Sequence, residues 1–226
     1  SGPVTIGDGI VLSTGKVVQT TFAFRSGEEG TDTTPNTDTG ASGTAAFDNY
    51  GPGNIVNFDR SYDVAALTVD FNLAAASQVG FDFIFGSVEF PQYTSDYTDA
   101  FLAFLDGTDV WNQIVFDANG KIVQVGNSFA SAVRTDDINT AFTGPHGLLM
   151  LQTVTPVLTA GSHKISFQIG DVNDGRLDSA VFISNFRSTP PPAVPEPSYL
   201  LLLGSALVAL AVWRRKVTVK IKGYER

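Results

Sequence analysis

Three aspartates lie close together near the end of a long β-rich region. Asp171, Asp174 and Asp178 fall within eight residues, with Asn173 and Gly175 between them. Calcium takes six to eight oxygen ligands from carboxylates, amides and peptide carbonyls, often in loops of this kind. The spacing differs from that of an EF-hand, which requires a bidentate glutamate at its end. The segment is therefore a candidate calcium-binding loop.

A second group of acids, Glu89, Asp96 and Asp99, follows the aromatic segment Phe81–Phe85. If the two acidic segments meet at one edge of the fold, they could share one ion. The candidate calcium ligands are then Glu89, Asp99, Asp171, Asp174 and Asp178. Calcium is the one cofactor that this pattern suggests.

The same acids also have an interpretation without a metal. Asp174-Gly175 can form a turn, Asp178 can accept hydrogen bonds from backbone donors, and Asp171 can be solvated. The sequence leaves both interpretations open.

Residues for enzymatic chemistry are sparse. The chain has two histidines, His146 and His163, and no cysteine, so a zinc site would need two acids as well. Ser179 beside Asp178 does not lie in a nucleophile elbow, and no glycine-rich segment matches a phosphate-binding loop. We therefore predict that the protein is not an enzyme. Glycoside hydrolysis needs only a pair of carboxylates and stays open as an alternative.

Charge is distributed unevenly along the chain. The formal net charge is −9, but residues 214–226 hold six basic residues and one acid, so residues 1–213 carry −14. Such an acidic region argues against nucleic acid as a partner and favours cations or a solvated surface. Because there is no cysteine, an exported form of the chain would rely on its core or on bound ions for stability.

Alternating apolar and polar residues mark the elements that would position the acids. The period-two pattern in Leu67–Phe71, Phe81–Phe85 and Ile165–Ile169 predicts half-buried strands. Asn119-Gly120 predicts a hairpin turn, and Gly27–Gly43 predicts a mobile loop. Further predicted strands are Val110–Phe116, Lys121–Val125, Leu148–Val154 and Ala180–Phe186. No helical period precedes the C-terminal tail, so we predict an all-β, jelly-roll-like β-sandwich over residues 1–187.

This region resembles the choice-of-anchor L domain family. The motifs that carry the resemblance are Phe81–Pro91 (FDFIFGSVEFP) with Asp99–Phe101, Ile169–Gly175 with Asp178–Ile183, and Gly9–Gly15. Val88 and Leu177 stand where the family has a glutamate and an aromatic residue. The resemblance implies an extracellular domain that is paired with one of several C-terminal anchors.

The C-terminal tail has three parts in a fixed order. Residues 188–198 form a proline-rich linker, Tyr199–Trp213 is an uncharged apolar run, and residues 214–226 form a basic tail. Fifteen helical residues would cover about 22 Å. A full membrane span needs roughly 20 residues, so this run is short for a span. We predict a transmembrane or sorting helix at 199–213. The basic residues that would stop transfer and stay cytoplasmic are Arg214, Arg215 and Lys216.

The tail resembles the PEP-CTERM sorting signal of Gram-negative bacteria. The motif residues are Val194, Pro195, Glu196 and Pro197. The resemblance implies processing by an exosortase, transient anchoring in the inner membrane, and export to the cell surface or the extracellular matrix. Such signals normally end after the basic cluster, whereas this chain continues through Val217–Arg226.

These features predict an exported surface or matrix protein with an adhesive, structural or glycan-binding role. Its partners would be exosortase, the membrane through the C-terminal helix, extracellular polysaccharide or copies of the same chain. An extracellular polysaccharide hydrolase and a self-assembling fibre subunit are the alternatives. A paired acid in a cleft lined by Trp111 and Tyr93 would favour the hydrolase, and a shallow aromatic face would favour binding.

Overall fold

The computed structural model describes residues 7–17, 36–91, 93–126 and 147–191. Within these ranges the chain folds into two four-stranded antiparallel sheets. The strands are β1 (Gly9–Ser13), β2 (Ser61–Leu73), β3 (Gln78–Ser87), β4 (Ala100–Leu105), β5 (Val123–Gln124), β6 (Gly147–Val154), β7 (Gly161–Val172) and β8 (Ser179–Thr189). Across these ranges, no helix is both long and apolar enough to cross a membrane. The sorting motif, the predicted helix at 199–213 and the basic tail lie outside the described residues.

The strand order confirms the predicted jelly-roll sandwich. One sheet has the order β1-β8-β3-β6 and the other has the order β2-β7-β4-β5. Strand β1 therefore pairs with β8, β2 with β7, β3 with β6 and β4 with β5. This is the order produced when one long antiparallel hairpin is rolled into two facing sheets. As a result, the C-terminal ends of β3 and β7 lie beside the N-terminal ends of β4 and β8, although these segments are distant from one another in the sequence.

Apolar side chains from the two inner faces fill the space between the sheets. Phe81, Phe83 and Phe85 of β3 are fully buried, and they face Phe101 of β4 and Phe167 of β7. The rings of Phe81 and Phe167 meet edge to face, with centroids 5.0 Å apart. Each such side chain contributes about 1.5 to 3 kcal/mol through burial. The period-two pattern of the sequence therefore identified the inner rows of these strands correctly.

A short helix that the sequence pattern did not predict covers the outer face of the second sheet. Helix α1 (Ala45–Tyr50) packs Phe47 and Tyr50 against Leu102 and Phe104. Six residues make fewer than two turns, so a helical period cannot be recognised in the sequence. The Thr44 side chain begins the helix by accepting a hydrogen bond from the Phe47 N–H at 3.2 Å.

The prediction of a strand at Val110–Phe116 is wrong. Val110–Asn112 form a 3₁₀ turn, and only isolated bridges pair Gln113 with Phe104 and Phe116 with Ile122. The Asn112 side chain donates to the Leu105 carbonyl at 2.8 Å and accepts from the Asp109 N–H at 3.2 Å. These bonds hold a turn where the apolar residues alone suggested a strand.

The predicted Asn119-Gly120 turn is present, but the hairpin around it is short. Gly120 has a φ of 72°, and its N–H donates to the Asp117 carbonyl at 3.0 Å. An Asp117 carboxylate oxygen also accepts from the N–H groups of Asn119 and Lys121. The chain on both sides of the turn pairs through the single bridge between Phe116 and Ile122.

Candidate metal centre

Three core-facing rows of side chains end in carboxylates at the same end of the sandwich. Side chains of a strand alternate between its two faces, so residues two apart share a face. The rows are Phe81, Phe83, Phe85 and Ser87 followed by Glu89; Ile165, Phe167 and Ile169 followed by Asp171; and Phe101 and Ala103 preceded by Asp99. Acids therefore occupy positions at which the alternation would otherwise place apolar residues.

Strand pairing brings Glu89, Asp99 and Asp171 together. Ala100 pairs with Gly170 between β4 and β7, so Asp99 and Asp171 come next to each other across the two strands. A carboxylate oxygen of Glu89 accepts from the Asp99 N–H at 3.3 Å. The carboxyl group of Asp99 lies close enough to those of Asp171 and Glu89 to share a proton with either. Glu89 is 1% exposed, and both aspartates are fully buried.

Asp178 completes the group from the loop between β7 and β8. It is fully buried, and the Thr37 N–H donates to its Oδ1 at 2.7 Å. The next residue, Ser179, donates its hydroxyl to Asp99 Oδ2 at 2.6 Å, which ties this loop to the start of β4. Glu89, Asp99, Asp171 and Asp178 together are called the carboxylate centre below.

Gly15 allows the chain after β1 to pass directly over Asp178. A Cβ atom at Gly15 would overlap Asp178 Oδ2, so no larger residue fits without displacement. Thr14 beside it accepts a hydrogen bond from the Ser179 N–H at 2.9 Å. Close backbone packing thus seals this side of the carboxylate centre.

Several carboxylate oxygens in the centre lack a donor. Asp99 accepts from the Val172 N–H and from the Ser179 hydroxyl. By contrast, neither oxygen of Asp171, nor Oδ2 of Asp178, has a well-oriented hydrogen-bond partner within the described ranges. The ion pairs found there are His163–Asp106 and Arg187–Asp82, and neither involves the centre. Buried carboxylates without donors or cations are costly.

The pKa values of all four acids are raised. Burial raises the pKa of Glu89 first, and the neighbouring Asp99 charge raises it further. Burial also raises the pKa of Asp99, although bonds from Ser179 and the Val172 N–H oppose the shift. For Asp171, burial and then the Asp99 charge raise the pKa well above its usual range. The pKa of Asp178 is raised by burial despite its bond from Thr37. These hydrogen bonds, together with one from the Thr14 side chain to Asp171, offset only part of the cost of burying the charged forms.

Of the five predicted calcium ligands, four are buried at this end of the sandwich, whereas Asp174 lies at the margin of the group, where its charge still raises the pKa of Glu89. Asp174 is partly buried and accepts from the Arg176 N–H at 3.2 Å, as in the turn interpretation. Its pKa is raised by burial and by the Asp38 charge. Asp96, in the second predicted acidic group, is exposed. Asp171 is fully buried, so the interpretation of this residue as solvated is wrong.

Asp63 is a buried acid that the sequence analysis did not single out. It accepts from the Thr39 N–H at 2.8 Å, from the Ala41 N–H at 2.9 Å and from the Thr39 hydroxyl. These donors satisfy Asp63, so its role is to hold the segment before α1. Thr14 and Ser179 were also missed. Ser179 could have been found from the sequence, because it is two residues before Val181 and four before Ile183 and so shares their core-facing side of β8.

The two aromatic residues proposed to line a cleft lie apart. Trp111 follows the Leu105 end of β4, whereas Tyr93 donates its N–H to Glu89 near the other end of that strand. Six residues of strand span about 20 Å. Trp111 is 80% exposed on its turn. An arrangement with Trp111, Tyr93 and a pair of acids around one cleft is therefore not formed.

An open depression lies on the outer side of the second sheet, beside α1. Its volume is about 590 Å³. The lining includes Phe58, Tyr62, Asp48, Asp59 and Arg60. Asp48 is held in place by the N–H and the hydroxyl of Ser61, at 3.0 and 2.7 Å. Aromatic faces and carboxylates thus share one solvent-accessible site.

Comparison with known proteins agrees with both family resemblances of the sequence. Residues 2–187 match the family model of the choice-of-anchor L domain, and residues 193–216 match that of the PEP-CTERM protein-sorting motif. No curated protein and no solved structure gives a significant match to the chain.

Proposed function

The chain belongs to the choice-of-anchor L family and carries a PEP-CTERM sorting motif, and from this premise we propose that its jelly-roll domain binds glycans outside the cell. The sorting motif makes the chain an exported surface protein that exosortase processes. An exported domain at the cell surface or in its matrix meets polysaccharide as an abundant partner. A glycan-binding domain would attach the cell or the matrix to such polymers.

The depression beside α1 is the observation that carries this proposal. A volume of about 590 Å³ falls within the range of small-molecule sites. Sugar rings present apolar C–H faces that pack on aromatic side chains, and hydroxyl groups that donate to carboxylates. The depression offers Phe58 and Tyr62 for the first contact, and Asp48 and Asp59 for the second. Arg60, whose guanidinium lies 5.9 Å from the Tyr62 ring centroid, adds a positive charge for acidic sugars.

Glycan binding is tested with the full chain and purified extracellular polysaccharide, together with a panel of neutral and acidic oligosaccharides. We expect Tyr62→Ala and Asp59→Asn each to weaken binding about tenfold, equivalent to about 1.4 kcal/mol. Trp111→Ala is the matched control, because Trp111 is more exposed but lies on a different turn. Loss of binding in Trp111→Ala with normal binding in Tyr62→Ala would contradict this site, and no binding by the parent chain would contradict the function.

The hydrolase alternative is separated from binding by the products. In the same incubations, a binding domain leaves the polysaccharide chain length and the number of reducing ends unchanged. The carboxylate centre is too deeply buried to meet a polymer, since Glu89 and Asp99 are at most 1% exposed. New reducing ends that disappear in Asp59→Asn would overturn the binding role.

We also propose the route by which the domain reaches its place of action. Tyr199–Trp213 would hold the chain in the inner membrane of a Gram-negative bacterium, with Arg214, Arg215 and Lys216 on the cytoplasmic side. Exosortase would then act near Pro195–Pro197. Proline fixes φ and removes backbone donors, which keeps such a motif extended and accessible.

A further inference from the structure

The carboxylate centre has a feature that an ordinary buried acid pair lacks. Both oxygens of Asp171 and one oxygen of Asp178 have no hydrogen-bond partner in good geometry among the described residues, although both side chains are fully buried. Elsewhere in the same structure, buried Asp63 has three donors. The fold can therefore satisfy a buried carboxylate with backbone N–H groups, but at the centre it leaves three carboxylate oxygens without a well-oriented donor.

The four acids come from four segments that meet at one end of the sandwich. Glu89 follows β3, Asp99 precedes β4, Asp171 is near the end of β7, and Asp178 precedes β8. Two further segments contact the group, through Gly15 after β1 and through Thr37. Four carboxylates this close can all be ionised only if a positive charge lies between them, and the ion pairs of the described residues do not supply one.

We propose that Glu89, Asp99, Asp171 and Asp178 bind one calcium ion, which closes this end of the sandwich. The four carboxylates offer oxygen ligands alone, and a chain without cysteine has no thiolate for a softer metal. Calcium accepts six to eight oxygens in irregular geometry, whereas magnesium demands an octahedron and keeps several waters, which a sealed centre would exclude. As they stand, no three acids of the described ranges surround a common point as ligands, so the ion draws the side chains inward.

The ion would take the place that disulfides hold in many exported domains. It would tie the loop between β7 and β8 to the end of β3 and the start of β4, and so would couple both sheets. This role goes beyond glycan binding, because the depression lies on the outer face of the second sheet and its lining acids are different residues.

The test uses the full chain in mild detergent, stripped with EDTA and then supplied with calcium chloride. We expect one calcium per chain after dialysis, measured by elemental analysis. The melting temperature should rise by about 5 to 10 °C at a hundredfold excess over Kd, since a ligand of the folded state stabilises that state. Magnesium at the same concentration should give a clearly smaller rise.

Two isosteric variants separate an ion site from a structural acid. Asp171→Asn should lose the calcium response, yet in EDTA it should melt at or above the parent temperature, because the neutral amide of the same size removes a buried acid that sits among other acids. Asp174→Asn, in the same loop but outside the centre, is the matched control and should keep the full response.

Three results would overturn the proposal. One is the same melting temperature for the parent chain in calcium and in EDTA, with no calcium retained after dialysis. A second is a response to magnesium as large as the response to calcium. The third is a calcium response that Asp174→Asn abolishes and Asp171→Asn leaves intact.

Discussion

At the residue scale, the space left by neighbouring atoms can determine which residue fits at a position beside the carboxylate centre. Gly15 is the clearest example, because a methyl group there would overlap the Asp178 carboxylate. Its φ is not in the left-handed region, so the constraint comes from space alone. The glycine is therefore required by the neighbouring acid.

Gly15→Ala should lower the free energy of unfolding by about 1 to 3 kcal/mol, the usual cost of overpacking. The physical reason is that Asp178 or the chain after β1 must move, which also disturbs the bond from Thr37. Urea denaturation measures the change. Gly7→Ala serves as the control, because no atom lies within 4 Å of its added Cβ. Equal stability of the two variants would show that this contact is not constrained.

A second residue-scale prediction concerns His163 at the opposite end of the sandwich. Its Nδ1 lies 2.7 Å from the Asp106 carboxylate, and its ring stacks on Phe71. The hydrogen bond with Asp106, followed by that with the Thr159 carbonyl, raises the pKa of His163. Partial burial raises the pKa of Asp106, but bonds from His163 and from the Lys164 N–H outweigh it and lower the pKa overall.

The sign of the pH dependence follows from these directions. The His163 contribution is fully present below its unfolded pKa of about 6.5, and it is lost as the pH rises through the raised folded value. The Asp106 contribution is present above about pH 3.9 and is lost as the pH falls through its lowered folded value. The pair should therefore stabilise most between about pH 4 and 6.5, by less than about 1 kcal/mol because Asp106 is 42% exposed.

Proton NMR titration tests this pair directly. Asp106→Asn should lower the His163 pKa toward its ordinary value, with the Thr159 bond still opposing part of the change. The left-handed backbone should be kept, since Asn tolerates the φ of 57° found there. The difference in unfolding free energy between pH 5.5 and 8.5 should shrink in the same variant. An unchanged His163 titration would contradict the assigned contact.

At the element scale, short segments owe their structure to particular hydrogen bonds more than to apolar pattern. Helix α1 has six residues and depends on Thr44 at its start and on burial of Phe47 and Tyr50. The turn at Val110–Asn112 depends in the same way on the Asn112 side chain. Short helices are marginal by themselves, so their caps matter more than their propensities.

Thr44→Ala should lower the free energy of unfolding by about 1 kcal/mol, because the Phe47 N–H loses its acceptor. The Thr44 hydroxyl also bonds to the Gln168 side chain on β7, so loosening should extend to the α1 contact with the second sheet. Amide hydrogen exchange of residues 45–51 reports this effect. Thr44→Ser keeps the hydroxyl and should restore most of the stability. A serine variant as unstable as the alanine variant would assign the effect to the methyl group.

At the scale of the whole molecule, the chain combines a folded domain with a sorting address. The domain occupies residues 2–187 of the family match, and the sorting motif follows at 193–216. β8 runs to Thr189, so only a few residues separate the last strand from the motif.

Glu196→Ala should leave the chain uncleaved and associated with the membrane in a host that contains exosortase. The glutamate is the one charged residue of Val194–Pro197, so its loss removes the charge that a processing enzyme can recognise. Fractionation and mass spectrometry of the C-terminus measure the outcome. Glu225→Ala removes an acid beyond the motif and is the control. Release of the Glu196→Ala chain with a normal new C-terminus would contradict recognition through this residue.

The sequence by itself determined the fold class, the sorting signal and the kind of chemistry available. Period-two alternation in segments such as Phe81–Phe85 and Ile165–Ile169 is a local consequence of burying one face of a strand, so it can be recognised without tertiary structure. The sorting motif is likewise a contiguous run of residues. Glu89, Asp99 and Asp171 also continue the alternation of the apolar rows, a signal for inward-facing acids that the sequence analysis did not use.

Only the tertiary structure decided which acids meet. Glu89 and Asp171 are neighbours because the hairpin is rolled so that the ends of β3 and β7 meet the starts of β4 and β8. This depends on which strands pair and not on local pattern. The same packing left Asp174 outside, although it lies between Asp171 and Asp178 in the chain. Side-chain parity is fixed within a strand, whereas pairing between distant strands depends on how the whole chain buries its apolar faces.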